Sequence, residues 1–270
     1  MTDREYRARE GISRSELWRL NPETGGTPEK FLYAQEHPEE PTPALIFGRM
    51  AHKMLLEPES FGLEFAVAPE CNRRTKEGKA LYEAFLAGIG EGVQEISAAD
   101  FALAGAMVRA ARNAPFVGNL LAGEGETEVA FFWTDELTGE KCKIRLDRLR
   151  WINGVPIIVD YKSTTDASPE KFSRDCLKFG YYFQAAMYCE GVRICTGKEP
   201  RFLFIAQEKT APFAVNIMEP DPLCLRYGYD QFRELLGIYH ACRVSGNWYG
   251  YMGEDAAIGM LSLPAWAGRQ

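Results

Sequence analysis

Hydrophobic and polar residues follow two different periods along this chain. Up to residue 122, apolar side chains recur at intervals of three and four, which is the spacing of amphipathic helices. From residue 123 they alternate with polar side chains over short stretches, as in half-buried strands, before helical spacing returns. The pattern predicts one α/β domain with a mostly helical part at 1–122, a sheet and helices at 123–220, and a closing helix with an irregular tail at 221–270.

Capping residues and prolines mark the ends of the predicted helices. Ser13 or Ser15 caps the first helix, Pro58 ends the third, and Ser97 caps a later one. Prolines and glycines between residues 21 and 44 leave room for only one short helix there. Helices are predicted at 11–20, 29–36, 44–58, 79–88, 97–114, 168–190 and 221–244, of which 168–190 is one helix or a pair divided at Gly180.

Five segments have the pattern of strands, at 127–135, 140–151, 154–163, 201–210 and 213–219. The first two are joined by E-L-T-G, which is typical of a hairpin. The third is apolar until it ends in charged residues, which predicts a central buried strand. A short turn near Gly154 joins the second and third strands, so their charged residues are expected at one edge of the sheet.

The composition is that of an ordinary soluble globular protein, with 46% hydrophobic and 26% charged residues. The charged first residues lack the apolar stretch of a secretion signal, and no run is long enough for a membrane span, so a cytoplasmic protein without membrane contact is expected. A net charge of −7 excludes coating of nucleic acid by bulk charge and requires any such contact to use a local basic cluster. Seven cysteines without a C-x-x-C pair predict neither a zinc site nor disulfides.

Three charged residues form the candidate chemical centre. Asp147 and Asp160 lie on the neighbouring strands, and Lys162 shares a face with Asp160 because side chains alternate along a strand. Carboxylates that hold Mg²⁺ beside an ammonium that orients a water or stabilises charge are the groups that phosphodiester hydrolysis needs. From the D-x-K triplet alone, a salt bridge at a strand end is the more common explanation.

Motifs elsewhere in the chain change that balance. Residues from about 12 to 190 resemble the RecE-type (exodeoxyribonuclease VIII) nuclease domain of the PD-(D/E)xK superfamily, and more distantly the RecB and lambda exonuclease nucleases. The resemblance rests on I-S-R-S-E-L (12–17), F-G-R-M-A-H (47–52), L-E-P-E-S-F (56–61), R-R-T-K-E-G-K (73–79), T-E-V-A-F-F-W (127–133), R-L-D (145–147), V-D-Y-K-S-T-T (159–165) and Y-Y-F-Q-A-A-M-Y (181–188). It implies a mixed central sheet flanked by helices, as in restriction endonucleases.

The resemblance also implies a metal site and a catalytic lysine. The metal would be Mg²⁺, for which Mn²⁺ can substitute, and Lys162 would serve the attacking water. The implied ligands are His52, Asp147, Asp160 and the backbone carbonyl of Tyr161. His52 on a predicted helix would by itself be an ordinary core or surface residue, and the cysteine spacing that holds an iron–sulfur cluster in some relatives is absent, so no cluster is predicted.

Further catalytic candidates come from the same resemblance. Glu128 matches an acidic residue on the strand before Asp147, although Glu126 takes this role if the register differs by two. Gln184 and Tyr188 share one helix face and would line the substrate side of the site, where a packed aromatic and a capping amide are the alternative.

Candidate DNA contacts are an aromatic residue of the same helix and two groups of basic residues. Exposed charge runs are usually only solvated, but here they match the R-T-x-x-G-K pattern of the relatives or lie beside the site. The candidates are Arg73, Arg74, Lys76, Lys79, Arg145, Arg148 and Tyr181.

The function implied by the resemblance is Mg²⁺-dependent exonucleolytic hydrolysis of double-stranded DNA, 5′ to 3′, which exposes single strands for an annealing protein in recombination systems of phages and prophages. A homo-oligomeric ring is implied as well. Two alternatives stay open: a nuclease of other specificity on the same core, such as a single-strand exonuclease or a nicking endonuclease, and a non-catalytic DNA-binding scaffold.

Overall fold

Helices dominate the first part of the chain. The computed structural model describes residues 3–253, 255, 258 and 260–263, so the rest of the predicted irregular tail lies outside the described residues. The first elements are α1 (Asp3–Ala8), β1 (Ile12–Ser13), α2 (Arg14–Trp18), α3 (Pro28–Glu36), α4 (Pro43–Leu56), α5 (Phe61–Glu64), β2 (Phe65–Val67), α6 (Lys76–Gly88), β3 (Gln94–Ile96), α7 (Ala98–Asn113) and α8 (Pro115–Ala122).

Strands follow in the positions that the alternating pattern predicts. The second part consists of β4 (Glu126–Thr134), β5 (Lys141–Ile152), β6 (Val155–Thr164), α9 (Pro169–Phe179), α10 (Tyr181–Thr196), β7 (Arg201–Glu208), β8 (Val215–Met218) and α11 (Pro222–Ser245). The predicted segment 168–190 is a pair of helices, because Gly180 adopts a left-handed conformation with a φ of 66° and ends α9.

Side-chain caps explain where several helices begin. Ser13, not Ser15, precedes α2 and exchanges hydrogen bonds with Glu16 in a capping box. Ser97 caps α7 as predicted, since its hydroxyl accepts from the Asp100 amide. Thr75 caps α6 in the same way, and this corrects the predicted start of that helix: it begins at Lys76 and not at residue 79.

Two further differences concern short elements. Strands β2 and β3 pair in parallel to form a separate two-stranded sheet, and α8 begins at Pro115 with only Ala114 between it and α7. Strands of three residues are too short to show a period, which is why the sequence pattern does not reveal them.

The main sheet is mixed. Among the described residues it contains six strands in the order β1-β5-β6-β7-β8, with β4 also paired to β5. Strand β5 is antiparallel to β4 and β6, whereas β6 and β7 run parallel. The predicted α/β class with a mixed central sheet flanked by helices is confirmed.

Each face of the sheet packs against its own helices. Ile157, Val159 and Tyr161 of β6 belong to a core shared with α4, α7 and α8. Ile158, between them, belongs to a second core that is shared with α2, α10 and α11. Asp160 continues on the face of Ile158, which directs it towards α10. No helix of the described residues has the length and apolarity of a membrane span.

Candidate metal centre

Two aspartates meet where β5 and β6 separate. The pairing between these strands ends with Arg148 opposite Val159, so Asp147 and Asp160 follow as the next two residues across the gap. Beyond the ladder, the backbone amide of Tyr161 donates a hydrogen bond of 2.8 Å to Asp147 Oδ2. The hairpin therefore places both carboxylates at one edge, as the strand order predicts.

Glu128 lies beside Asp147 on the adjoining strand. Thr127 pairs with Arg148 and Val129 pairs with Leu146, but the pairing is interrupted between them, where Glu128 has a φ of 52°. Such a backbone conformation is uncommon for a residue with a side chain, and strain of this kind concentrates at functional sites. Glu126, two residues earlier, is exposed at the start of the strand.

His52 reaches the two carboxylates from α4. Its Nε2 atom lies 3.2 Å from Asp147 Oδ1 and 3.7 Å from Glu128 Oε1. One ligand atom from each of the three side chains lies within 4.8 Å of the others. His52 Nε2 is buried and has no hydrogen bond. A buried nitrogen without a hydrogen bond, next to two carboxylates, is a donor set that fits a divalent cation such as Mn²⁺ or Mg²⁺.

The charges of His52, Glu128 and Asp147 shift one another's pKa values. Burial opposes ionisation of Asp147, but the positive charges of His52 and Lys162 and the hydrogen bond from the Tyr161 amide together outweigh it and lower the pKa of Asp147 to about 2. Burial lowers and the Asp147 charge raises the pKa of His52, with a net increase. Burial raises the pKa of Glu128 despite the nearby guanidinium of Arg145. The cluster therefore favours a charged imidazole when no metal is bound.

Asp160 makes a different set of contacts. Its carboxylate is almost fully buried, and it forms an ion pair with Lys162 and accepts a hydrogen bond of 2.5 Å from Gln184 Nε2. Burial raises the pKa of Asp160 to about 6, which Lys162 opposes and Asp147 reinforces. Although burial acts against it, the charges of the aspartates raise the pKa of Lys162. Lys162 is thus an ammonium ion held against Asp160.

Helix α10 closes the other side of this pair. Besides Gln184, it contributes Tyr181, whose ring centroid lies 5.0 Å from Lys162 Nζ. Tyr188 lies one turn beyond Gln184, and burial raises its pKa far above the ordinary range, so its hydroxyl is neutral. The structure therefore brings the three α10 candidates to the same side of the site as Asp160.

The basic candidates are placed less uniformly. Arg145 Nε forms an ion pair of 2.7 Å with Glu128 Oε2, at the edge of the cluster. The prediction of a phosphate contact is wrong for Arg148, which is buried and donates to the carbonyls of Leu120 and Gly123 at the end of α8. The sequence pattern does not reveal α8, so the contacts of Arg148 with the end of that helix could not be predicted.

The segment that contains the remaining basic candidates lies on the surface. Arg73 forms an ion pair of 3.2 Å with Glu95 and has its guanidinium 3.5 Å from the Tyr82 ring centroid. The other three side chains are exposed, on the loop and in the first turns of α6: Arg74, Lys76 and Lys79. The described contacts of Arg73 are with Glu95 of β3 and Tyr82 of α6, and not with the cluster of His52, Glu128 and Asp147.

Arg14 lies near the site, although no role was predicted for it from the sequence. Its guanidinium donates to the backbone carbonyls of Phe179 and Gly180, at the junction of α9 and α10. At Gly180, a Cβ atom would lie 2.5 Å from the ring of Trp18, which also belongs to α2. The I-S-R-S-E-L motif thus holds the junction from which α10 extends to Gln184. The sequence shows Arg14 as part of a motif that matches the relatives, but the carbonyls that it contacts, those of Phe179 and Gly180, lie far away in sequence.

The fold and the residues together define a class. A mixed sheet flanked by helices, with an Asp and a D-x-K pair where two strands separate, is the arrangement of the PD-(D/E)xK superfamily. The family described as "PDDEXK-like domain of unknown function (DUF3799)" matches residues 23–258. This match covers most of the chain, and the chain belongs to that family. The predicted superfamily is therefore confirmed, whereas a RecE-type identity is not established.

One solved structure shares the fold at low sequence identity. A protein from Eubacterium rectale described as a "putative exonuclease" has a TM-score of 0.62 and 18% identity, over 98% of this chain and 95% of that chain. A protein described as SSO0001 has a TM-score of only 0.39 and 14% identity, over 85% of this chain and 76% of that chain. No curated protein matches this chain.

Proposed function

We propose that this protein is a divalent-metal-dependent DNA nuclease. The observation that carries the proposal is the cluster of His52, Glu128 and Asp147 directly beside the Asp160–Lys162 pair. The cluster would hold the metal, with Asp160 and the Tyr161 carbonyl as further candidate ligands. When bound, Mg²⁺ or Mn²⁺ supplies a Lewis acid that polarises the phosphate and lowers the pKa of a coordinated water.

The other residues orient the reacting groups. The Lys162 ammonium stabilises negative charge that develops on the phosphate, and its raised pKa favours this role over that of a base. The Gln184 amide fixes one oxygen of Asp160, and the neutral hydroxyl of Tyr188 provides a hydrogen-bond donor on the same side. Arg145 holds Glu128 in place through its ion pair.

The finer proposal is a Mg²⁺-dependent exonuclease that degrades double-stranded DNA 5′ to 3′ and leaves a single strand for an annealing protein in recombination. Its support is the order of the RecE-type motifs in the sequence and the description of the E. rectale protein as an exonuclease. A homo-oligomeric ring belongs to the same proposal. The basic residues of 73–79 and Tyr181 are proposed to contact the DNA backbone.

The test uses linear, nicked and covalently closed circular DNA, labelled at either the 5′ or the 3′ end where ends exist, in Mg²⁺, Mn²⁺ or EDTA. The proposal expects loss of the 5′ label from linear duplex with Mg²⁺ and no cleavage of the closed circle. Lys162→Ala and Asp160→Asn are expected to abolish cleavage while circular dichroism shows a folded protein.

Each result that differs from these expectations would indicate a different function. Cleavage of the closed circle would exclude the exonuclease and favour an endonuclease on the same core. Preference for single-stranded DNA would replace the substrate class. Absence of cleavage with either metal would favour a DNA-binding scaffold, and near-normal turnover of the Lys162 variant would refute the site assignment.

A further inference from the structure

An exposed aromatic ring lies next to the proposed hydrolytic centre. Phe179, the last residue of α9, is 44% exposed, and Leu177, two residues earlier in the same helix, is 60% exposed. The Phe179 ring lies 5.7 Å from the Tyr181 ring between centroids, and Tyr181 in turn lies 5.0 Å from Lys162 Nζ. Phe179 is therefore separated from the Lys162 ammonium by a single ring.

The backbone of Phe179 is fixed although its side chain is exposed. Its carbonyl accepts from Arg14, and the following Gly180 is packed against Trp18 in a left-handed conformation. The neighbouring Tyr181 ring is also held in place, because it packs on Phe172 with ring centroids 5.7 Å apart. Because the Phe179 backbone and the adjacent Tyr181 ring are held in place, a ligand that binds here has less of the protein to order, which reduces the entropy cost of binding.

A cation lies against this ring although the chain is acidic overall. The ammonium of Lys178 lies 5.1 Å from the Phe179 ring centroid, whereas the nearby Arg14 guanidinium is engaged by the carbonyls of Phe179 and Gly180. Exposed aromatic rings interleaved with cations are typical of surfaces that bind single-stranded nucleic acid, where bases stack on rings and phosphates meet the cations.

We propose that Phe179, flanked by Leu177 and Lys178, is a stacking platform for an unpaired base next to the phosphate that is cleaved. This inference rests on the proposed nuclease function and adds a subsite to it: the platform would bind a DNA end whose terminal base is frayed. With a phosphate at Lys162, the neighbouring base would lie beside Tyr181, and Phe179 would extend that aromatic surface outward.

The test measures binding without cleavage. Duplex DNA with one unpaired 2-aminopurine at its end is titrated in EDTA with the wild-type protein, Phe179→Ala and Phe179→Trp, and 2-aminopurine fluorescence and affinity are recorded. A second duplex carries an abasic residue at the same position. Because stacking on an aromatic ring contributes about 1–3 kcal/mol per base, Phe179→Ala is expected to weaken binding of the first duplex about 5- to 150-fold. The abasic duplex should bind the wild-type protein and Phe179→Ala equally. Phe179→Trp should restore the wild-type affinity for the first duplex.

The matched control is Phe116→Ala, which removes another exposed aromatic ring, on α8 and 65% exposed. It is expected to leave both affinities unchanged. An equal effect of Phe179→Ala on both duplexes, or none on either, would overturn the platform. So would a change of oligomeric state in sedimentation, because the ring would then be a contact between copies of the chain. Cleavage of linear DNA by the wild-type protein tests the nuclease function separately, so the two failures can be distinguished.

Discussion

Replacement of Glu128 by Gln distinguishes an effect on metal binding from an effect on folding, because it removes the charge of the side chain and keeps its size. The carboxylate of Glu128 lies 3.7 Å from His52 and 2.7 Å from Arg145, and the change keeps its shape and one acceptor oxygen while removing its charge. Burial raises the pKa of Glu128, so the ionised form weakens the fold at neutral pH, where an ordinary glutamate is charged. Without metal, Glu128→Gln is therefore expected to unfold at the same temperature as the wild-type protein or at a higher one.

With metal the order should reverse. A ligand that binds only the folded state at 100 times its Kd adds about 2.7 kcal/mol, and for a chain of this size 1 kcal/mol raises Tm by about 2–4 °C. The wild-type protein should thus gain about 5–11 °C. Loss of one charged ligand that weakens binding about 10- to 100-fold leaves about 0.4–1.4 kcal/mol at the same metal concentration, which corresponds to a gain of about 1–6 °C.

The measurement is differential scanning fluorimetry in EDTA and in rising Mn²⁺, together with cleavage of linear DNA. Glu126→Gln, two residues away on the same strand, is the matched control and should behave as the wild-type protein in each assay. If Glu126→Gln lost the metal response and Glu128→Gln kept it, the register of the site would be wrong. A lower Tm of Glu128→Gln in EDTA would refute the argument from burial.

Other consequences concern single contacts. Gln184→Leu removes the donor to a buried carboxylate oxygen and should lower the free energy of unfolding in urea by about 1–3 kcal/mol; no loss would mean that this hydrogen bond is not formed. Gly180→Ala, which puts a Cβ 2.5 Å from Trp18, should destabilise the protein more than Gly197→Ala, which has nearly the same φ in open space and should cost about 1–2 kcal/mol. Equal losses would contradict the packing on Trp18. Because the pKa of His52 is raised, calorimetric Mn²⁺ affinity should still increase with pH above about 6.5, where an ordinary imidazole is already mostly neutral, and a constant affinity there would argue against His52 as a ligand.

The strands and their register could be predicted because both follow from local pattern. Alternation and the E-L-T-G turn identify β4 and β5, and a tight turn near Gly154 leaves one natural pairing of β5 with β6. From that pairing the proximity of Asp147 and Asp160 follows directly. The direction of Asp160 towards α10 also follows, since Ile158 is buried on the same face.

The choice between Glu126 and Glu128 could not be made from alternation. Both residues point to one face in a regular strand, but the φ of 52° at Glu128 interrupts the ladder there and leaves Glu126 at the exposed strand start. Arg148 was misassigned for a related reason, since its partners are carbonyls at the end of α8 and no periodic signal reveals that short helix. In both cases the side chain meets a distant segment that the local pattern does not show, His52 of α4 for Glu128 and the end of α8 for Arg148.

The three carboxylates of the site each have their own cationic partner. Glu128 pairs with Arg145, Asp147 with His52, and Asp160 with Lys162. This explains why Arg145, predicted to contact phosphate, is found at the edge of the acidic cluster: buried carboxylates without a counter-charge would destabilise the fold. Two of the partners are permanently charged at neutral pH, whereas the imidazole alone can lose its proton there. Binding of a cation among these residues therefore requires His52 to become neutral, and the charge balance of the fold makes that proton the one that is exchanged for the metal.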